Sequence, residues 1–251
     1  MLSDASKIFD PMGLLSPYTI RSKMLFQQLW NRGLQWDEQL PEDILQQWNA
    51  WKTELPTINE ISIPRCFMQN GKSGTSVELH GFGDASPKAY GAVAYVRVTQ
   101  QNGDVDTHLV MSKTRVAPAK VVSLHRLELL AAVINSRLLK FVAESLSTLE
   151  RVVCWTDSEV TLHWIRGLCS QWKTFVANRV AEIQQTWDPQ KWRHCPGVEN
   201  PADLLTRGVT SRNLKESDLW WKGPSWLSSA EETWPNQKLN QASTRDAQKE
   251  S

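Results

Sequence analysis

Ser76-Val77-Glu78-Leu79-His80-Gly81-Phe82-Gly83-Asp84 is where the period of the sequence changes. Val77, Leu79 and Gly81 alternate with Glu78, His80 and Phe82, the two-residue repeat of a β-strand, and the run ends on an acid. Residues 89–98 read as a second strand, Gln101-Asn102-Gly103-Asp104 as a turn and residues 108–112 as a third strand, so the three form an antiparallel meander. A helix follows over about residues 124–146, with Leu127, Leu130, Ala131, Ile134, Leu138, Phe141 and Val142 spaced to face inward. Residues 151–156 form a compact apolar run, the kind that a crossover helix lays parallel in a buried sheet. Helices over about 158–166 and 172–185, a short strand at 191–193 and a helix from about Pro201 complete the order βββαβααβα, an α/β layered domain.

Upstream the pattern is helical. Asp10-Pro11-Met12-Gly13 reads as a turn, and Ser16-Pro17 as the start of a helix that runs to about Trp30, before Gly33. Ile44, Trp48, Trp51 and Leu55 then make one apolar face, read as packing rather than as a stacking platform for bases. Gly71-Lys72-Ser73-Gly74 reads as a linker. The expected organisation is a helical connection-like segment over 1–75, an α/β domain over 76–210, a Trp-rich extension over 211–235, and a polar, structureless tail over 236–251.

Composition narrows the class. The 251 residues are 41% hydrophobic and 22% charged, ordinary values for a globular chain with a core of its own. No apolar run approaches the roughly 18 residues of a membrane helix, and the N-terminus does not read as a signal peptide. Cys66, Cys154, Cys169 and Cys195 form no C-x-x-C pair, so reduced thiols in an intracellular protein are expected, cytoplasmic or nuclear. Net charge is +1, so any affinity for nucleic acid must come from local patches. Thirteen tryptophans against three tyrosines and six phenylalanines call for a structural or binding explanation.

Four acids stand where a core-building sequence would not place them. Asp84 closes the first strand, Glu128 sits within Leu127-Glu128-Leu129-Leu130, Asp157 ends the fourth strand and Asp203 opens the last helix. Singly, Asp84, Asp157 and Asp203 could be turn or cap residues. A carboxylate between leucines is harder to leave in water. If the first and fourth strands pair, Asp84 and Asp157 are neighbours beyond their carboxyl ends. Such acids raise one another's pKa unless cations neutralise them. An oxygen-only donor set points to a hard ion, Mg²⁺ or Mn²⁺, and two such ions about 3.5–4 Å apart would clamp a phosphate for attack by water.

Gly83-Asp84-Ala85-Ser86 with Ala89-Tyr90-Gly91-Ala92, Arg126-Leu127-Glu128-Leu129-Leu130-Ala131, Trp155-Thr156-Asp157-Ser158, and His194-Cys195-Pro196-Gly197 with Asn200-Pro201-Ala202-Asp203-Leu204 resemble, in order, the four signature segments of retroelement type 1 ribonuclease H. The wording is most similar to the BEL/Pao group of LTR retrotransposons. Phe9-Asp10-Pro11-Met12-Gly13-Leu14-Leu15-Ser16-Pro17 and Ile63-Pro64-Arg65-Cys66 resemble that group's segment between polymerase and ribonuclease H. Trp220-Trp221-Lys222-Gly223-Pro224-Ser225-Trp226-Leu227 resembles the stretch that follows it. The likeness spans about residues 3–227.

The resemblance implies a ribonuclease H-like mixed five-stranded sheet, order 3-2-1-4-5, flanked by helices and preceded by a helical accessory segment. It implies hydrolysis of the RNA strand of an RNA/DNA hybrid with two Mg²⁺ or Mn²⁺ ions, beside the reverse transcriptase polymerase domain of the same polyprotein. By position, Asp84, Glu128, Asp157 and Asp203 would hold the metal, and His194 would match the mobile histidine that serves water or product. Asn200 precedes Asp203 by three residues where many relatives have four. A basic insertion found in some cellular enzymes has no room, since only residues 167–171 separate the two helices.

With the four acids assigned to metal, residues 76–210 keep 15 basic residues against nine acids. Two stretches lack acids: 107–127, with Lys113, Arg115 and Arg126, and 160–181, with Arg166 and Lys173. These five, with Ser86, Ser158 and Asn200 beside the signature acids, are the expected substrate contacts. Phosphate contacts give affinity without sequence preference, and a hybrid would be told from duplex DNA by groove shape and 2′-hydroxyls. The competing reading is a non-catalytic nucleic-acid-binding or connection fragment, because no Tyr-x-Asp-Asp polymerase motif, Asp-Ser/Thr-Gly protease motif or His-His-Cys-Cys zinc module is present. An integrase-type strand transferase ranks third, since it needs three acids and would not call for Asn-Pro-Ala-Asp.

Overall fold

The computed structural model describes residues 1–64, 75–146, 148–235 and 246–249. The expected Gly71–Gly74 linker, Arg65 and Cys66, and most of the polar tail lie outside these. The helical period at the start becomes α1 (Leu2–Ala5), α2 (Ser16–Asn31), α3 (Glu42–Thr53) and α4 (Leu55–Ile58). Pro17 stands in the first turn of α2, where a missing N–H costs nothing. The meander follows as β1 (Ser76–Ala85), β2 (Ala89–Thr99) and β3 (Val105–Val116). Then come α5 (Leu124–Ser145), β4 (Arg151–Thr156), α6 (Glu159–Arg166), α7 (Thr174–Thr186), β5 (Trp192–His194), α8 (Asp203–Arg207), α9 (Ser211–Glu216) and α10 (Asp218–Lys222).

The sheet order is β3-β2-β1-β4-β5, with β1 antiparallel to β2 and parallel to β4. This is the mixed five-stranded α/β architecture that the sequence implied. β3 is longer than its apolar run suggested. It is an edge strand, and Lys113 and Arg115 on it are the charges with which an exposed edge is kept from pairing.

One face of the sheet is covered by α5, α6 and α7. α5 lies close on β1 because Gly81 and Gly83 carry no side chain. A Cβ on Gly81 would stand 2.1 Å from Asn135 Oδ1, and one on Gly83 3.3 Å from the Ala131 carbonyl oxygen. Asn135, fully buried, donates from Nδ2 to the carbonyls of Gly81 at 3.0 Å and Trp155 at 3.4 Å, tying the helix across β1 and β4. Phe141, expected inward, is 58% exposed, and Leu139 is buried instead. The helical repeat of 3.6 carries the apolar stripe away from Phe141 over the last turns.

The other face explains the tryptophans. Tyr18 and Trp51 stack at 4.9 Å and Trp48 and Trp51 at 4.8 Å, so the stripe on α3 does pack. From the C-terminal side Trp220, Trp226 and Trp234 join Phe82, Tyr95 and Trp155 in the same apolar cluster. The Tyr95 hydroxyl donates to the Trp220 carbonyl at 2.7 Å. Burying each such ring contributes about 1.5–3 kcal/mol. The helical segment and the Trp-rich extension therefore complete one core with the sheet. They are also bridged directly: Arg21 grips Glu54 at 2.6 and 2.9 Å, and Glu54 accepts from the Ser211 amide at 3.0 Å.

Asp10 orders the first turn, its carboxylate accepting from the amides of Leu14 and Leu15 at 2.8 Å each. Gly13 has φ +72°, and a Cβ there would lie 2.2 Å from the Ser112 carbonyl oxygen. Met12 accepts from the Ser112 amide at 2.9 Å, so the turn covers part of the β3 edge. At the far end of the chain, residues 246–249 form a turn whose Ala247 is buried and accepts from the Trp164 indole at 3.0 Å. Among the described residues no helix is long and apolar enough to cross a membrane.

Candidate functional site

β1 and β4 are parallel neighbours, with Gly83 opposite Thr156, so Asp84 and Asp157 emerge side by side at their carboxyl ends. α5 begins above the same point and delivers Glu128 from its second turn. Asp84, Glu128 and Asp157 each offer an oxygen within 4.8 Å of the others. Asp84 is 4% and Glu128 8% exposed, and Asp157 is half-buried, so two of the three carboxyl groups are largely shut off from water.

Electrostatics follow from that placement. Burial first, then the Asp157 charge, pushes Asp84 up to about 8. Burial, then Asp157 and Asp84, pushes Glu128 up to about 10. Asp157 is raised as well, chiefly by burial, and is linked to Asp84 by a hydrogen bond, so the pair holds protons that isolated carboxyls would have lost. Glu128 Oε2 and Asp157 Oδ1 are buried without any hydrogen-bond partner. Orphaned carboxylate oxygens converging on one point fit a hard divalent ion, which would neutralise the repulsion and satisfy both.

Asp203 stands apart from this trio. Its Oδ1 accepts from Arg207 Nε at 2.5 Å, one helical turn on, although its charge still reaches Asp84 and Glu128. His194, at the end of β5, places Nε2 3.2 Å from the Asp157 carbonyl oxygen, and its Nδ1 is buried without a partner.

The expected substrate contacts divide. Asn200 is 1% exposed and is spent on position: its Nδ2 donates to the Gly83 carbonyl at 3.0 Å and its Oδ1 accepts from the Ala202 amide at 3.1 Å. Ser158 caps α6 by accepting from the Thr161 amide, and Ser86 donates to the Thr206 carbonyl at 2.9 Å. Lys113 and Arg115 are exposed on β3. The Arg126 guanidinium lies 4.9 Å from the Phe175 ring centroid, with Arg179 at 3.5 Å from the same ring. Lys173 donates to the Lys249 carbonyl at 2.7 Å, and Arg166 to the Trp192 carbonyl at 2.9 Å.

Sequence reading missed Thr206 and Arg207. Thr206 donates its hydroxyl to Asp84 Oδ2 at 2.5 Å, and Arg207 pairs with Asp203. Their spacing of three and four residues after Asp203 is the available signal, since such positions share a helix face. Gly197, part of the fourth signature segment, closes on the same site: a Cβ there would lie 3.2 Å from Asp157 Oδ2.

Comparison with known proteins adds a family. The Pao retrotransposon-like RNaseH-like domain matches residues 1–158, a span that ends just past Asp157. No curated protein matches the sequence. Among solved structures, LC11-RNase H1 isolated from compost by a metagenomic approach is similar at 18% identity, covering 55% of this chain and 98% of its own, with a TM-score of 0.36. The same enzyme in complex with an RNA/DNA hybrid matches at 17% identity over 55% of this chain and 99% of its own, TM-score 0.36. RNase H1 from the archaeon Halobacterium salinarum NRC-1 matches at 14% over 57% of this chain and 99% of its own, TM-score 0.31.

Proposed function

The chain belongs to the Pao retrotransposon-like RNaseH-like domain family, and from that premise we propose that it is a divalent-metal-dependent endonuclease that hydrolyses the RNA strand of RNA/DNA hybrids during retrotransposon reverse transcription. The observation that carries this reading is the convergence of Asp84, Glu128 and Asp157, with two orphaned oxygens among them. A sequence selected only for stability would not bring three mutually repelling carboxyls together with two of them buried.

Asp84, Glu128 and Asp157 would hold two Mg²⁺ or Mn²⁺ ions, with Asp203 joining when Arg207 yields it. Such ions, when bound, supply charge neutralisation at the scissile phosphate and acidify a water. The chain's own part is positional. Thr206 orients Asp84 and Asn200 fixes the loop that carries Asp203. His194, at the rim, stands 3.2 Å from the Asp157 carbonyl oxygen, where it would serve water or product. Lys113, Arg115, Arg126, Arg166 and Lys173 would bind the strands through phosphates. The activity would reside in residues 76–210, with the reverse transcriptase polymerase domain of the same polyprotein as partner.

The competing reading, a binding module without catalysis, is favoured by one observation, the Asp203–Arg207 pair that withdraws the fourth acid. Cleavage of end-labelled RNA/DNA hybrid with Mg²⁺ separates the two. The nuclease yields RNA-strand products that vanish in Asp157→Asn while hybrid binding survives. Binding without cleavage by both proteins would sink the enzymatic reading.

A further inference from the structure

Beyond β5, the edge strand on this side of the sheet, lies a cavity of about 330 Å³. Arg166 from the end of α6, Gln190, Arg193 and His194 form one side of it, and Glu231, Glu232 and Trp234 from the C-terminal extension the other. His194 belongs to this cavity and its Nε2 also lies 3.2 Å from the Asp157 main-chain carbonyl, so one residue links the cavity to the strand end that carries the acid.

Its charges are unequally satisfied. Glu231 accepts from Arg151 at 2.5 and 2.6 Å and from Arg193 at 2.7 Å, and these bonds, Arg151's first, pull its pKa down to about 2. One carboxylate is thus shared by two guanidinium groups, and Arg193 keeps donors to spare. Arg166 has no carboxylate in ion-pair reach among the described residues. Its one direct bond there runs from Nη2 to the Trp192 carbonyl at 2.9 Å, and partial desolvation with nothing to offset it pushes its pKa down. His194, which also lines the cavity, has its Nδ1 buried and unpartnered. Glu232, exposed at the rim, is the remaining acid. Two guanidinium forks with uncommitted N–H groups, facing a small polar cavity, suit a tetrahedral oxyanion better than any neutral ligand.

We propose that this cavity is a phosphate subsite, in which Arg166 and Arg193 hold a phosphate of the nucleic-acid strand adjoining the one at the acid cluster. The inference rests on the nuclease reading for its ligand's identity, since the same chemistry would also accept free phosphate or a terminal phosphomonoester. Its role is to set the strand's register against Asp157 without reading sequence, as phosphate contacts do.

The test uses the full chain and the Arg166→Gln substitution, which removes a single backbone hydrogen bond and leaves the Arg193–Glu231 pair in place. Inorganic phosphate is titrated first, with tryptophan fluorescence as the signal, because Trp192 and Trp234 flank the site. Hybrid binding in Ca²⁺ is then measured across salt. Saturable phosphate binding that weakens at least about fivefold in Arg166→Gln, with a hybrid salt slope lower by about one, is the expected result. Lys140→Gln, at the far end of α5, should change neither. Equal phosphate and hybrid binding by wild type and Arg166→Gln would overturn the subsite even if the protein cleaves hybrids. Phosphate binding lost in Arg166→Gln, in a chain that cleaves nothing, would keep the subsite and discard the nuclease reading. Weakening that appears for hybrid but not for phosphate or a 5′-phosphorylated oligonucleotide assigns the site to an internal phosphodiester.

Discussion

Thr206 donates its hydroxyl to Asp84 Oδ2 at 2.5 Å, joining α8 to the end of β1 across 122 residues of chain. The bond favours the ionised form of Asp84 against the burial and the neighbouring acids that raise its pKa. Through it the helix that Asp203 opens acts on the first signature segment.

Thr206→Val keeps the shape and removes that donor. Asp84 should then hold its proton to higher pH, and the pH profile of hybrid cleavage should move in the alkaline direction, with a stability cost of about 1 kcal/mol. Rate–pH profiles of the two proteins at saturating Mg²⁺ check this, and superimposable profiles would refute it.

Stability without metal should fall as pH rises. Glu128 titrates near 10 in the fold against an ordinary 4.5, and Asp84 near 8 against 3.8. Both are acids with raised folded values. Their favourable contribution is complete below the unfolded pKa and is lost as pH climbs to the folded one. Melting in EDTA from pH 5 to pH 9 should show a declining temperature that flattens in Glu128→Gln. Mg²⁺ should raise the wild-type melting temperature at pH 8 by more than it raises that of the variant.

Gly81→Ala tests the closeness of α5 to the sheet. The new methyl meets Asn135, which is buried and bonded to two strands, so the helix must move outward. A loss of about 1–3 kcal/mol in denaturant unfolding is expected. The Mg²⁺ needed for half-maximal cleavage should rise too, because Glu128 rides on the same helix. Unchanged metal dependence with lost stability would separate packing from the site.

Asp10→Ala should act on stability alone. It removes the acceptor for two amides in the turn that covers part of the β3 edge, an effect of about 1–2 kcal/mol by analogy with helix caps. Cleavage per folded molecule should stay the same, since the side-chain bonds of Asp10 run to the amides of its own turn and not to Asp84, Glu128 or Asp157. A fall in specific activity at full folding would show that the turn does more than cover an edge.

Much of this was legible before any coordinates. The alternation at Val77–Phe82, the crossover helix and the apolar run at 151–156 dictate a meander followed by a parallel strand, because backbone hydrogen bonding and burial leave few other arrangements. The acids were visible as misfits to those patterns, and Asp84, Glu128 and Asp157 do converge. Asn200 looked like a strand contact and proved to be internal, because burial of a polar side chain depends on what packs over it. Phe141 looked internal and is exposed, because the apolar stripe of α5 has turned away from it by the last turns.

The chain's own order of residues thus determined the succession of strands and helices, which acids stand at strand ends, and that the tryptophan stripe over residues 44–55 would pack. Tertiary structure alone decided that the N-terminal helices and the C-terminal tryptophans share one sheet face. It also decided that Arg207 takes Asp203 while Thr206 takes Asp84, and that Arg166 is left without an acid beside His194. Local periodicity reports which way a side chain leaves its own strand or helix. Which distant group meets it there is set by packing, and no repeat in the sequence carries that.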